Sequence, residues 1–152
     1  MPRYFTLAEA QALIPALEER LQRAISLKAV AAEAAGELGA ESERVRLAGG
    51  AQVDRRKLLD AVSRRDTATA HLRDVLESIH ETGCQVKDLD VGLLDFPTLF
   101  RGEEVCLCWK LGEDRIEFWH TVEEGFRGRK PIDSDFRASH SDRGAGNDPA
   151  PN

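Results

Sequence analysis

The amino-acid sequence predicts an α+β fold: a long antiparallel helical hairpin followed by a small antiparallel β-sheet. Apolar residues recur at spacings of three and four from Leu7 to Ala24, and again from Leu58 to Ile79, which is the period of a helix face. After Gly83 the period drops to two, the alternation of a half-buried strand. Between the two stripes, Gly36–Gln52 holds four glycines and many charges and suits a bend.

The first helix opens on Thr6-Leu7-Ala8-Glu9, which has the form of a capping box. The threonine hydroxyl meets the Glu9 amide while the Glu9 carboxylate reaches back. Leu7, Ala10, Ile14, Leu17, Leu21 and Ala24 then form a heptad-like stripe. Pro15 removes one amide donor inside this stripe, so a kink is expected and not an end, because the pattern continues in phase. The element runs on through alanine-rich sequence to Gly36. In the second helix the stripe is Leu58, Val62, Thr69, Leu72, Leu76 and Ile79, interrupted by Arg65 and stopped near Gly83. Each helix can exceed about 25 residues, or about 38 Å at 1.5 Å per residue. Such a pair has more apolar stripe than one partner covers, which leaves the sheet or a second subunit to cover the rest.

Strands are expected at Cys84–Asp90, Leu93–Phe96, Glu104–Leu111 and Arg115–Val122, with Gly92 and Pro97 as punctuation. Beyond Asp133 the chain is polar, with Phe136 its one aromatic residue, and too little apolar area to offset the entropy of ordering. The expected organisation is therefore one domain over residues 1–132 and a disordered tail over 133–152.

Composition narrows the function classes. The 152 residues suit a single core. With 27 acidic against 21 basic residues and a net charge of −6, non-specific binding to nucleic acid is not expected, because phosphates demand clustered cations. Three scattered cysteines do not suggest a disulfide framework, and reduced thiols fit a cytoplasmic protein. No segment approaches the roughly 20 apolar residues of a membrane span, and no secretory leader is evident.

Val105–His120 concentrates the residue types that carry chemistry: both tryptophans, two cysteines and a histidine. In a hairpin closed by a two-residue Gly112-Glu113 turn, Val105, Leu107, Trp109 and Leu111 share one face with Ile116, Phe118 and His120. Cys106, Cys108 and Lys110 share the other with Glu117, Trp119 and Thr121. A Glu113-Asp114 turn keeps the same faces. Cys-X-Cys followed by Trp-His invites a zinc reading, but this geometry separates His120 from the thiols. No metal and no cofactor are expected, and a Cys108–His120 nucleophile–base pair is weakened on the same ground. His71 and His80, nine residues apart on one helix, fall about half a turn out of phase.

Several motifs resemble one family. They are Phe5-Thr6-Leu7-x-Glu9-Ala10, Val86-Lys87-Asp88-Leu89-Asp90-x-Gly92-Leu93-Leu94-Asp95-Phe96-Pro97, Leu107-Cys108-Trp109-Lys110-Leu111-Gly112-Glu113, Trp119-His120 and Glu124-Gly125-Phe126-x-Gly128-Arg129. Together they resemble a bacterial family known as domain of unknown function 2203, over about residues 4–132. The resemblance implies a helix-pair-plus-sheet domain and brings no activity, ligand or catalytic residue. It draws attention to Asp95, Trp109, His120, Gly125, Arg127 and Arg129. A histidine on an apolar face is usually a satisfied core residue whose tautomer a carboxylate such as Asp95 fixes. The competing reading is a pocket in which Arg127 and Arg129 grip an anion beside His120. The leading functional expectation is an assembly module that forms a homo-oligomer through its hairpin. A small-molecule or anion-binding protein comes second. An enzyme comes last, because no complete nucleophile–base or metal set can be assembled.

Overall fold

The computed structural model describes residues 3–50 and 53–140. Helix α1 spans Leu7–Leu47 and helix α2 spans Arg55–His80. The strands follow as β1 (Gln85–Asp88), β2 (Leu93–Phe100), β3 (Glu103–Lys110), β4 (Phe118–Thr121) and β5 (Lys130–Pro131), then a short helix α3 (Ser134–Ser139). Each strand pairs antiparallel with the next, so the sheet order is β1-β2-β3-β4-β5. The architecture is α+β, a helical hairpin carrying a five-stranded antiparallel sheet.

Thr6 caps α1 as its sequence predicts, its Oγ1 accepting the Glu9 amide at 3.0 Å. The other half of the box is diverted: the Glu9 carboxylate lies 3.7 Å from Arg3. The expected stripe Leu7, Ala10, Ile14, Leu17, Leu21 and Ala24 is buried throughout. Pro15 sits inside the helix without ending it.

The bend comes later than expected. Gly36 and Gly39 are helical, and each costs only about 1 kcal/mol relative to alanine. Around them Ala34 and Glu41 are buried, and Glu37 ion-pairs with Arg64 of α2. The reversal is left to the residues after Leu47, where Gly49 and Gly50 take φ of 71° and 83° and the Gly50 amide bonds back to the Val45 carbonyl at 2.8 Å. Asp54 then caps α2 through the Lys57 amide.

The buried line of α2 is also displaced from the expected stripe. Ala61, Ala68 and Ile79 are buried, Val62 and Leu76 are half-buried, and Thr69 is exposed. Alanine has little surface to hide, but it allows two backbones to approach closely. Ala24 and Ala34 do the same on the buried face of α1.

The sheet packs on the first half of α1 and the end of α2. Phe5, Ile14, Leu17, Leu21 and Ile79 meet Leu94, Phe96, Val105, Leu107 and Trp109 in one core. Strand β2 continues through Pro97, beyond its expected end at Phe96. Strand β1 pairs only with Leu93–Asp95, so the amide that proline lacks faces a flank without a strand. There the Pro97 carbonyl accepts the Phe5 amide at 2.7 Å.

Two further expectations are corrected. Strands β3 and β4 are joined by Leu111–Glu117 and not by a two-residue turn. Glu113 ties the connection down, its amide bonding the Lys110 carbonyl and its carboxylate accepting the Lys110 amide. Ile116 leaves the strand to enter the core, its amide held by Gln11 of α1 at 2.8 Å. The resulting pairs are Val105–Thr121, Cys106–His120, Leu107–Trp119 and Cys108–Phe118, one residue away from the expected register.

Disorder from Asp133 onward is corrected over residues 133–140. Asp133 caps α3 through the Phe136 amide, and Phe136 is buried against Phe100 and Trp119 at centroid distances of 4.8 and 5.1 Å. His140 Nε2 accepts the Leu7 amide, closing the start of α1 from outside. Residues 141–152, the rest of the expected tail, lie outside the described residues. No helix among the described residues is long and apolar enough to cross a membrane.

Candidate functional site

The register of β3 against β4 decides which side chains meet. Period-2 alternation sends Leu94, Phe96, Val105, Leu107 and Trp109 toward the helices, where they join the core. Asp95, Cys106 and Cys108 point to the opposite face. A shift of one residue moves a whole strand's side chains across the sheet. Trp119, opposite Leu107, therefore faces inward, and His120, opposite Cys106, faces outward. The expected grouping of His120 with Trp109 is overturned, and so is the geometric ground for excluding a thiolate–imidazole pair.

That outer face is not open to solvent along its length. After β4 the chain doubles back, with Gly125 at φ 66° allowing the reversal into a 3-10 turn at Phe126–Gly128. Val122, Gly125 and Phe126 cover part of the sheet and enclose a cavity of about 210 Å³. Asp95, Cys106 and His120 line it although only 2%, 6% and 2% of their surfaces are exposed. Lys87 and Glu104 also contribute to its lining.

His120 is fixed from both sides. Its Nδ1 lies 2.7 Å from the Thr121 carbonyl, which only accepts, so Nδ1 carries a hydrogen. Its Nε2 lies 3.0 and 3.1 Å from the two Asp95 carboxylate oxygens. An imidazole nitrogen already committed to one tautomer cannot face a carboxylate at that distance unless a proton lies between them. The pair therefore shares one proton and is neutral as a unit, which lowers the cost of burying it.

Cys106 completes the group. Its sulfur, the His120 nitrogen and an Asp95 oxygen all lie within 4.8 Å of one another. Burial, with the Asp95 charge adding to it, pushes the Cys106 thiol up to about 11. Burial likewise raises Cys108 to about 12 and Cys84 further. Protonated thiols are poor nucleophiles, and the Nε2 that would act as base is engaged by Asp95. The arrangement lacks an activated cysteine.

The other expected site residues lie elsewhere. Trp109 is wholly buried on the helix side, its indole Nε1 donating to the Glu113 carbonyl at 3.0 Å. Arg129 is held by Glu113, which accepts from Nη2 at 2.6 and 2.9 Å, and its guanidinium stacks on Phe118 and Phe126. Arg127 is exposed and makes no ion pair among the described residues. Neither arginine lines the cavity, so the structure brings together Asp95 and His120 but not a two-arginine anion grip. Sequence reasoning missed Cys106 as a neighbour of His120 and Glu113 as the partner of Arg129. The signal for Cys106 was present in the alternation and depended on the register.

No curated protein and no solved structure matches this chain. The family described as "Uncharacterized conserved protein (DUF2203)" matches over residues 3–132. That span includes both long helices, the whole sheet and every residue that lines the cavity, and the chain is a member of the DUF2203 family.

Proposed function

We propose that this protein is a small-ligand-binding protein whose site is the cavity between the outer face of the sheet and the loop after β4. The observation that carries this reading is the position of the Asp95–His120 pair. Buried ionisable pairs that serve only stability are commonly replaceable by apolar residues at no loss. Here the pair is at the floor of a reachable cavity with a thiol beside it, the setting in which polar groups select a ligand. With Arg129 neutralised by Glu113, anionic ligands lose their main attraction, and the floor offers electron-pair donors instead.

Cys106 gives a test that does not require the ligand's identity, because it lies in the cavity lining and neither Cys84 nor Cys108 does. A panel of zinc, phosphate, acetate, glycine and a small amine is screened for raised melting temperature and for slower alkylation of Cys106 by iodoacetamide. A site ligand produces both effects, and Asp95→Asn weakens both. If no member of the panel protects Cys106 or shifts the melting temperature, the reading fails.

A second reading, self-assembly through the hairpin, is favoured by the outer side of α2. Thr69, Leu72, Leu76 and His80 form a shallow apolar groove flanked by Arg73 and Glu77. Two copies laid antiparallel about a two-fold axis near Asp74–Val75 bring Arg73 of each opposite Glu77 of the other, an isologous pairing. Light scattering over a concentration series tests it. A dimer that Arg73→Glu dissociates and the added Glu77→Arg restores supports the reading, and a single-subunit mass throughout removes it.

A further inference from the structure

We propose that Asp95, Cys106 and His120 bind one divalent transition-metal ion of the zinc class, with a coordination position left open to the cavity. This rests on the cavity being a ligand site, and it names the ligand. The donor atoms come from three separate strands, β2, β3 and β4, and lie within 4.8 Å of one another. A sheet holds such atoms more firmly than a loop.

The donor types choose the ion. Nitrogen, thiolate sulfur and one carboxylate oxygen suit zinc, cobalt or nickel, whereas magnesium and calcium demand oxygen shells that a single buried carboxylate cannot supply. The orientation of His120 agrees with this. Its Nδ1–H is held by the Thr121 carbonyl at 2.7 Å, the outer-shell bond that leaves Nε2 as the metal-binding nitrogen. The ion replaces the proton shared by Nε2 and Asp95 together with the Cys106 thiol proton, so two protons leave as one dication enters. The floor is neutral before and after, and no net charge is buried. Three protein ligands make fewer than the four of a closed structural site, and since all three side chains line the cavity, the cavity would supply the remaining position.

The test uses the full chain freed of metal by a chelator and titrated with cobalt(II) alone. The expected result is saturation at one cobalt per chain, with thiolate-to-cobalt charge-transfer absorption that zinc displaces. Isothermal titration in two buffers of different ionisation enthalpy is expected to show two protons released per ion. Cys106→Ala removes the charge-transfer absorption. It should also weaken binding by more than about 100-fold, since even outer-shell losses cost 10–100-fold. Cys106 is small and borders a cavity, so this variant keeps the fold. Asp95→Asn, nearly isosteric, weakens binding without abolishing the thiolate band at high cobalt. Cys84→Ala, away from the cavity, leaves both unchanged. Cobalt or zinc that fails to bind the folded protein, or binds equally to Cys106→Ala and Asp95→Asn, overturns the metal assignment. If phosphate, acetate, glycine or amine still protects Cys106 in that event, the cavity remains a ligand site and only the metal is wrong. If nothing protects it, both fall.

Discussion

Arg129 offers the sharpest test of whether the last loop is a clamp or a ligand grip. Its Nη2 donates to both Glu113 carboxylate oxygens at 2.6 and 2.9 Å and to the Cys108 carbonyl at 3.3 Å. The guanidinium carbon lies 4.1 Å from the Phe118 centroid and 4.9 Å from that of Phe126. Removing one partner from a fully buried ion pair costs about 3–5 kcal/mol. The two side chains keep 14% and 23% of their exposure, so solvent screens part of that. Each aromatic contact adds about 0.5–1 kcal/mol. Arg129→Ala should therefore destabilise the unliganded protein by about 2–4 kcal/mol, read from urea denaturation by circular dichroism. Arg129→Lys, which keeps the charge but not the planar contact with Phe118 and Phe126, should fall between wild type and alanine. A double-mutant cycle with Glu113→Gln should give a coupling of about 1–2 kcal/mol. An arginine reserved for an anion behaves differently, since its loss leaves unliganded stability intact. A loss below about 0.5 kcal/mol with no coupling to Glu113, within the range of an ordinary surface substitution, would refute the clamp.

Phe136→Ala should cost up to about 3–5 kcal/mol and flatten the near-ultraviolet dichroism of Trp119, because the ring stacks on Phe100, Trp119 and His140. An unchanged tryptophan spectrum and stability would show that α3 is not docked. The Cys84 thiol, raised by burial above its ordinary value of 9.0, gives a pH prediction. Its folded form holds the proton more tightly than the unfolded form, so stability is full below about pH 9 and falls as pH rises through that value. Cys84→Ala should make the alkaline limb of the stability–pH curve shallower in the presence of chelator, and an unaltered slope would count against the burial argument. Ala68→Leu, placed at the buried seam where α2 approaches α1, should cost about 1–3 kcal/mol by overpacking, and a neutral result would mean that the helices have room to separate.

The legible part of the fold was whatever rests on local pattern. The Thr6 cap, the apolar stripe of α1 and the change of period after Gly83 each follow from neighbours within a few residues, and each is where the sequence puts it. The misplaced features depend on partners distant in the chain. Gly36 and Gly39 look like breakers, yet they stay helical because Ala34, Glu37 and Glu41 are engaged at that end of the hairpin. The fully buried positions of α2 are Ala61, Ala68 and Ile79. Of the expected stripe Ile79 is buried, Val62, Leu72 and Leu76 are half-buried and Thr69 is exposed, because the small alanines and not the larger side chains lie closest to α1 along the seam. Phe136 looked isolated in a polar tail, and nothing nearby in sequence announces that Phe100 and Trp119 wait for it.

The site turned on one structural parity. A two-residue turn and the observed connection Leu111–Glu117 differ by an odd shift in pairing, so every side chain of β4 changes face. Ile116 accompanies that shift: its apolar side chain is buried in the core and its amide is held by Gln11 of α1 at 2.8 Å. Glu113 then has to fold back onto Lys110 and take Arg129, which removes that arginine from any anion site. The same displacement brings His120 beside Cys106 and Asp95. One step of register thus separates two chemically different arrangements, one with a cationic loop over a core histidine and one with nitrogen, sulfur and oxygen donors converging on a cavity. Ile116→Gly tests that dependence: loss of the anchor should loosen Leu111–Glu117, raise the alkylation rate of Cys106 and shift the Trp109 fluorescence. If Cys106 stays as protected as in wild type, the connection does not set the register.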